Sequence, residues 1–184
     1  MEKETKNGET TNAEAGGRGA AIRQIRMEDA ENWLELCRSL DAETAFMLYE
    51  PGERRTTVPE QTERIASALL HPRSIVLIAE CEGRIAGYIE ARGSNVNRIR
   101  HSAQIVVGIL QAYSGRGIGT RLFEKLENWA RERGIYRLEL TVMAHNEAAV
   151  SLYRKMGFRQ EGIRKHSLRV EGRYIDEYAM AKLL

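Results

Sequence analysis

The sequence predicts one mixed α/β domain, a sheet of strands flanked by helices, preceded by a short polar tail. Three observations carry this prediction. The chain of 184 residues is long enough to bury one hydrophobic core. Short apolar runs typical of strands are interspersed, without strict alternation, with stretches of helical periodicity. A glycine-rich turn follows one apolar run and precedes an amphipathic helix, as in many α/β proteins.

The N-terminal segment differs in composition from the rest of the chain. Residues 1–19 are rich in Glu, Lys, Thr, Asn and Gly and have no apolar period, so we expect a disordered tail. The folded domain is predicted over 20–184. No internal repeat is visible.

The first half of the domain is predicted to contain two helices and a strand pair. The elements are a strand over 21–26, a helix capped by Asp29 with Trp33, Leu36, Cys37 and Leu40 on one face, a loop over 47–58, a helix starting at Pro59, a strand over 74–81 and its return over 84–92. Glu82 and Gly83 form the turn between these two strands.

The second half repeats strands and helices and ends in a strand pair. The elements are a central strand over 103–110, a helix after Gly119 that stops near Gly134, a strand over 137–143, a helix over 147–156 that ends at Gly157, and strands over 158–170 and 174–183.

Charge and cysteine content narrow the possible functions. The formal net charge of +2 and the lack of a basic, aromatic-rich stripe argue against stable binding to nucleic acid. The two cysteines, Cys37 and Cys81, form no zinc-like cluster, so we expect buried thiols and no metal. Neither a bilayer-spanning apolar run nor an apolar signal core is visible, and we therefore expect a cytoplasmic protein without membrane contact.

The turn over residues 113–120, Tyr-Ser-Gly-Arg-Gly-Ile-Gly-Thr, is the segment with the clearest chemical meaning. Glycines allow a ligand to approach the backbone closely, and the start of a helix adds unpaired N–H donors and a positive dipole end. This combination favours a phosphate site. It is not a P-loop, because no lysine precedes Thr120, and the glycine spacing is not that of a dinucleotide fingerprint.

At these residues the sequence resembles the GNAT superfamily of acetyltransferases, whose Gln/Arg-x-x-Gly-x-Gly/Ala loop binds the pyrophosphate of CoA. Gly117 and Gly119 match this pattern, and Ser114 departs from it at the first position. A second block matches the family signature Asn-x-x-Ala-x-x-Leu-Tyr-x-x-x-Gly-Phe through Asn146, Ala149, Leu152, Tyr153, Gly157 and Phe158. The two blocks occur in the family's order.

The resemblance implies a fold and a cosubstrate. It implies the GNAT fold, a twisted and mostly antiparallel central sheet with a splayed parallel pair and flanking helices. It also implies acetyl-CoA, with its arm along the central strand and with backbone groups of Ile109 and Leu110 near the acetyl group. The CoA-binding residues so implied are Ile109, Leu110, Ser114, Gly115, Arg116, Gly117, Ile118, Gly119, Thr120, Asn146, Ala149 and Tyr153.

Acetyl transfer from a thioester requires a neutral amine, stabilisation of the carbonyl oxygen and a proton for the leaving thiolate. By the resemblance, Tyr153 is the general acid, although packing between helix and sheet is the alternative. Glu90 is the candidate general base, ahead of Glu139 and His145, and bulk water is the alternative proton acceptor. Asn146 contacts CoA, caps a helix, or does both. Gly108 either lets the central strand bend or fills a packing gap.

The acceptor is an amine whose identity the sequence leaves open. Residues 162–180 resemble bacterial enzymes that acetylate amino acids, polyamines or the N-termini of ribosomal proteins. His166, Arg164, Lys165, Arg169 and Arg173 either contact an anionic group or form a solvated face. The alternative function is a non-catalytic acyl-CoA-binding regulatory module. A homodimer through the terminal strands is left open.

Overall fold

The structure, a computed structural model, describes residues 19–184, so the predicted tail lies outside the described residues except for Gly19. The strands are β1 (Ala21–Gln24), β2 (Ser74–Cys81), β3 (Arg84–Gly93), β4 (Ser102–Ile109), β5 (Arg137–Met143), β6 (Arg159–Val170) and β7 (Arg173–Leu183). The α-helices are α1 (Ala30–Glu43), α2 (Val58–Leu70), α3 (Ile118–Glu132) and α4 (Glu147–Lys155). Each predicted element is present, with ends that differ by one or two residues for most of them.

The seven strands form one mixed sheet in the order β1-β2-β3-β4-β5-β7-β6. Strands β4 and β5 are parallel, and the other neighbouring pairs are antiparallel. Pairing between β4 and β5 covers only residues 102–104 and 137–139, beyond which the two strands are no longer paired. The predicted mixed α/β architecture with a splayed parallel pair is therefore confirmed.

Local sequence explains how the two N-terminal helices begin. Thr57 and Glu60 form a reciprocal capping box at the start of α2, and Pro59 lies in its first turn. Asp29 occupies the N-cap position of α1, but its carboxylate does not cap the helix. It accepts two hydrogen bonds from the guanidinium of Arg23 and one from the backbone N–H of Arg26. The predicted capping bond of Asp29 is thus wrong, because a paired arginine competes for the same oxygens.

The helices bury the sheet on both faces. Helices α1 and α2 contribute Trp33, Leu40 and Ile65 to a core that includes Tyr88 of β3. Helices α3 and α4 contribute Phe123 and Val150, among others, to a larger core on the opposite face. The unpaired seam between β4 and β5 lies between these cores, and it is the place where a ligand can reach the middle of the sheet.

Candidate active site

The glycine-rich turn between β4 and α3 presents a run of unpaired backbone donors. Gly115 and Gly117 adopt φ values of +73° and +77°, which other residues rarely adopt, and a Cβ on either would meet nothing within 4 Å. No acceptor within the described residues binds the N–H groups of residues 115–120. The first helical bond of α3 is donated by Arg121 to the Gly117 carbonyl. Six consecutive amides are therefore free to bind an anion at a helix N-terminus.

Side chains close to this turn leave its amides accessible. The Arg116 guanidinium lies 5.1 Å from the centroid of the Tyr113 ring, beside the turn. The Ser114 hydroxyl donates to the Leu110 carbonyl at 3.4 Å, and the Ser114 N–H donates to Gln111, so both donors of Ser114 are used locally. Ser114 therefore offers less to a ligand than the glycines that follow it.

Gly119 has a different role from the first two glycines of the turn. A Cβ on Gly119 would lie 2.7 Å from Cδ2 of Leu152 and 3.4 Å from Cδ1 of Ile109. The glycine thus allows the start of α3 to pack closely against α4. This contact fixes the direction of the amides relative to β4.

Backbone groups of β4 line the seam in an alternating pattern. The Leu110 N–H donates to the Ala86 carbonyl at 2.9 Å. In an antiparallel ladder the groups of alternate residues point the same way, so Gly108 and Val106 also bond to β3. Val107 and Ile109 point their N–H and C=O groups in the opposite direction, towards the unpaired seam. A ligand lying there can pair with both residues as a strand would.

This geometry supports the predicted contact from Ile109 and opposes the one from Leu110. The Leu110 N–H is bonded to Ala86, and its carbonyl accepts from Tyr113. Val107 is the residue that provides the second set of free backbone groups. Backbone groups of successive strand residues point to opposite sides. The sequence therefore identifies Val107 as facing the seam only when one hydrogen bond between β4 and β3 is known.

Gly108 is explained by packing. A Cβ there would lie 2.6 Å from Cδ1 of Leu40 and 3.1 Å from Cε1 of Tyr88. Of the two alternatives for this glycine, the structure supports close packing of α1 on the sheet.

Tyr153 lies on α4 at the boundary between core and cavity. Its ring packs edge-on against Phe123 and lies close to Phe158. The hydroxyl has no hydrogen-bond partner among the described residues, yet it is not one of the fully enclosed polar atoms, so the oxygen faces the cavity. Burial raises the pKa of this phenol above its usual value of 10. The group therefore remains protonated at neutral pH, as a proton donor must.

Asn146 and Ala149 form the N-terminal cap of α4. Oδ1 of Asn146 accepts a hydrogen bond from the Ala149 N–H at 3.2 Å, which is the predicted cap. Both residues also line the cavity, and the side-chain nitrogen Nδ2 of Asn146 has no partner among the described residues. Capping therefore leaves the donor group of Asn146 available to a ligand.

The structure argues against Glu90 as the general base. Glu90 lies on β3 with 3% of its surface exposed and does not line the cavity. Arg92 donates from Nε to Oε1 at 2.7 Å and from Nη2 to Oε2 at 2.9 Å, and Arg64 donates from Nη2 to Oε2 at 2.5 Å. Both carboxylate oxygens are therefore occupied by guanidinium groups. The hydrogen bonds that Arg92 donates to Glu90 also raise the pKa of Arg92, which secures its positive charge.

The weaker base candidates, Glu139 and His145, do not line the cavity. Glu139 accepts from Nε of Arg137 at 2.9 Å, and the His145 ring lies 5.3 Å from that of Phe46. Glu177 on β7, by contrast, lines the cavity. Its Oε2 accepts from Arg164 at 3.1 Å, and its Oε1 has no partner within residues 19–184. No sequence pattern assigns a role to Glu177, because it becomes part of the site only through the pairing of β7 with β5.

The basic residues of the C-terminal strands lie outside the cavity. Lys165 pairs with Asp176, Arg164 pairs with Glu177, and the His166 ring stacks on Tyr174. None of the five predicted residues lines the cavity. Of the two alternatives for this set, the structure supports a solvated face.

One continuous cavity joins these features. Its volume is about 1330 Å³, and it extends from the glycine-rich turn along the β4–β5 seam to the loop after α1 and to Arg54, Arg64 and Arg92. One end thus offers backbone donors for an anion, the middle offers Val107, Ile109 and Tyr153, and the far end is rich in guanidinium groups.

The described residues contain neither a metal-ligating cluster nor a membrane-spanning helix. Within residues 19–184, no group of three or more His, Cys, Asp or Glu side chains is arranged to hold a metal ion. No helix of the described chain has the length and apolar character to cross a membrane. Cys37 and Cys81 are free thiols, and burial raises the pKa of Cys37 to about 11, which makes that thiol a poor nucleophile.

Comparison with known proteins identifies relatives of this chain. The sequence model of the Acetyltransferase (GNAT) family matches residues 27–158. The chain is 33% identical over 119 residues to the N-alpha-acetyltransferase RimI of Mycobacterium tuberculosis, a match that covers 62% of this chain and 69% of the relative.

Solved structures share the fold over most of its length. A GNAT-family acetyltransferase from Streptococcus pneumoniae superposes with a TM-score of 0.86 at 32% identity, over 90% of this chain and 99% of the other. A structure from Salmonella typhimurium, described as a putative acetyltransferase with its cofactor acetyl-CoA, has a TM-score of 0.80 at 21% identity, over 90% of this chain and 94% of the other. At that identity the second similarity concerns the fold alone.

Proposed function

Because the chain belongs to the acetyltransferase (GNAT) family, we propose that it transfers the acetyl group of acetyl-CoA directly to a primary amine while both substrates are bound. The acceptor is a small molecule or a protein N-terminus, and we place the reaction in the cytoplasm. The observation that carries the proposal is the run of six unpaired amides beside an unpaired strand seam.

The diphosphate of CoA fits the amides of residues 115–120. These donors lie at the N-terminus of α3, where the helix dipole adds favourable potential for an anion. The glycines at 115 and 117 have no neighbour within 4 Å of a would-be Cβ, so phosphate oxygens can approach the main chain. Arg116 supplies positive charge beside this group.

The pantetheine arm fits the seam between β4 and β5. Its amide groups pair with the free backbone groups of Ile109, and the thioester carbonyl accepts from the Val107 N–H. A donor already fixed in place stabilises negative charge on this oxygen as the amine attacks, without reorganisation at the moment of reaction. The side-chain nitrogen Nδ2 of Asn146, oriented by the capping bond that Oδ1 accepts from the Ala149 N–H, donates to the arm.

The chemical step forms a C–N bond and breaks a C–S bond. The neutral amine attacks the thioester carbon, and the tetrahedral intermediate expels the thiolate of CoA. Tyr153 protonates this sulfur as it leaves, because its phenol faces the cavity and stays protonated. The extra proton on the new amide nitrogen passes through water to Glu177, which then releases it to solvent, and Tyr153 regains its proton from solvent.

The second candidate is an acyl-CoA-binding module without turnover. The cavity favours catalysis over binding alone, because it continues past the proposed thioester position to a polar end that can hold an acceptor. A binding module has no need of that space or of a phenol at the seam.

Calorimetry with acetyl-CoA, together with a thiol-release assay over amino acids, polyamines and N-terminal peptides, tests the proposal. We expect 1:1 binding and release of CoA with at least one amine class. Binding without release on any amine would favour the regulatory module, and absence of binding would reject both functions.

A further inference from the structure

A basic cluster lines the acceptor end of the cavity. Arg54, Arg64 and Arg92 line the cavity, and their carboxylate partners Asp41 and Glu90 are buried beside it. Arg54 pairs with Asp41, whereas Arg64 and Arg92 share Glu90. Glu43, Glu177 and Lys155 also line the cavity, so the attraction for an anion at this end depends on local guanidinium donors and not on the net charge of the cavity.

The unused donors of this cluster belong to Arg64 and Arg92. Arg64 makes one hydrogen bond and Arg92 makes two, all to Glu90, although each guanidinium has five N–H donors. Nη1 of both residues has no protein partner among the described residues. The side chains are 31% and 54% exposed, and both line the cavity. Arg54, by contrast, is buried against Asp41 with 8% of its side chain exposed.

Further contacts hold these two arginines in place. The Arg64 guanidinium lies 4.8 Å from the centroid of the Trp33 ring, and Trp33 is fully buried. Glu90 binds Arg92 through both of its oxygens, which fixes the plane of that guanidinium. A guanidinium already oriented loses little entropy when it binds a further carboxylate.

The position of the cluster limits the size of the acceptor. Glu90 pairs with Val106 of β4, and Val106 lines the cavity beside the seam. Arg92 pairs with Gln104, three residues along β4 from Val107, so with about 3.4 Å per residue and about 4.8 Å between strands its Cα lies on the order of 11 Å from that of Val107, a span that an arginine side chain shortens by roughly half. An anionic group bound there must be a few covalent bonds from the reacting amine.

We infer that Arg64 and Arg92 bind a carboxylate of the acceptor, which makes the acceptor a free amino acid or a closely similar amino carboxylate. The unused guanidinium donors of Arg64 and Arg92 attract a carboxylate and repel an ammonium group, which disfavours a polyamine at this end, and a protein N-terminus has no carboxylate of its own at this distance. This inference rests on the proposed acetyl transfer.

The test compares L-amino acids with their own carboxamides as acceptors. Alanine, leucine, methionine and phenylalanine are assayed beside the four amides, with spermidine as a polycationic acceptor, and kcat/KM is measured by thiol release. The amides have a larger fraction of neutral amine at a given pH, so intrinsic reactivity favours them over the acids. We expect at least one acid to exceed its amide by tenfold or more.

Variants connect this preference to the cluster. In Arg92→Gln the acid-to-amide ratio is expected to fall by tenfold or more, and Arg92→Lys is expected to retain part of it. Arg64→Gln is expected to have the same direction of effect. Arg98→Gln, an exposed arginine of the β3–β4 loop, is the matched control and is expected to keep the ratio. Thermal denaturation checks that each variant folds.

The outcomes distinguish failure of the carboxylate site from failure of the proposed acetyl transfer. Equal use of acids and amides, a preference for spermidine, or an unchanged ratio in Arg92→Gln overturns the carboxylate site and leaves acetyl transfer intact. Binding of acetyl-CoA without turnover of any acceptor overturns the proposed catalysis and the carboxylate site together.

Discussion

Gly117→Glu is expected to remove acetyl-CoA binding, since Gly117 lies at the centre of the free amides. A Cβ at this position enters open space, so a carboxylate attached to it projects into the volume proposed for the diphosphate. With one new charge facing two phosphate charges at about 6 Å and an effective dielectric constant of about 40, Coulomb's law gives roughly 2.8 kcal/mol of repulsion. Affinity is therefore expected to fall by about 100-fold, before any steric effect.

A matched variant separates this effect from backbone strain. Gly172 in the β6–β7 turn has φ of +79°, against +77° for Gly117, and a Cβ there also meets nothing within 4 Å. A non-glycine residue costs roughly 1–2 kcal/mol in this conformation at either site. Gly172→Glu is thus expected to lose similar stability while it binds acetyl-CoA as the unmodified protein does.

Calorimetric titration with acetyl-CoA is the assay, with thermal denaturation of both variants as the check on folding. Equal affinity of Gly117→Glu and Gly172→Glu would refute the assignment of the turn to the diphosphate. The mechanism built on the seam would then lose its starting point, because the thioester is positioned from this end.

Three further variants test the roles of individual side chains. Tyr153→Phe is expected to lower kcat by roughly 100-fold with little change in acetyl-CoA affinity. Because burial raises the pKa of Tyr153, the pH profile of the unmodified enzyme should have no basic limb from this phenol below pH 10. An unchanged kcat, where the chemical step limits the rate, would contradict the acid role. Glu90→Gln is expected to lower the melting temperature, because two arginines lose a buried partner, and to leave kcat within a few-fold; a fall in kcat of roughly 100-fold would restore Glu90 as the base. Glu177→Gln is expected to lower kcat by roughly 100-fold, because the proton of the attacking amine loses its acceptor. Glu161→Gln, which alters an exposed pair with Arg137, serves as control, and equal kcat values for these two variants would exclude Glu177.

The parts of the fold and site that follow from local sequence were predictable. Hydrophobic periodicity predicts the strands and helices. The positive φ angles at residues 115 and 117 are indicated by the glycines themselves, because glycine adopts such angles readily. The strand-turn-helix context of the phosphate site is also contained in neighbouring residues. Such features need no knowledge of which strands pair.

The parts that depend on pairing between distant segments were not predictable. The free backbone groups of Val107, in place of Leu110, follow from the bond between Leu110 and Ala86. The engagement of Glu90 follows from Arg64, which lies 26 positions earlier on α2. A glutamate on a strand has the same appearance in sequence whether it is free or bound, so its partners decide its chemistry.

The short register between β4 and β5 has a consequence for cooperativity. Strand pairing at residues 102–104 and 137–139, together with the bonds that Tyr136 and Arg137 donate to the His101 carbonyl, joins the four-stranded part of the sheet to the three-stranded part. In the proposed complex the pantetheine arm adds hydrogen bonds to Val107 and Ile109 beyond this short register, so local opening of the seam also breaks contacts with the cosubstrate. Resistance to local unfolding is therefore expected to increase with the concentration of acetyl-CoA.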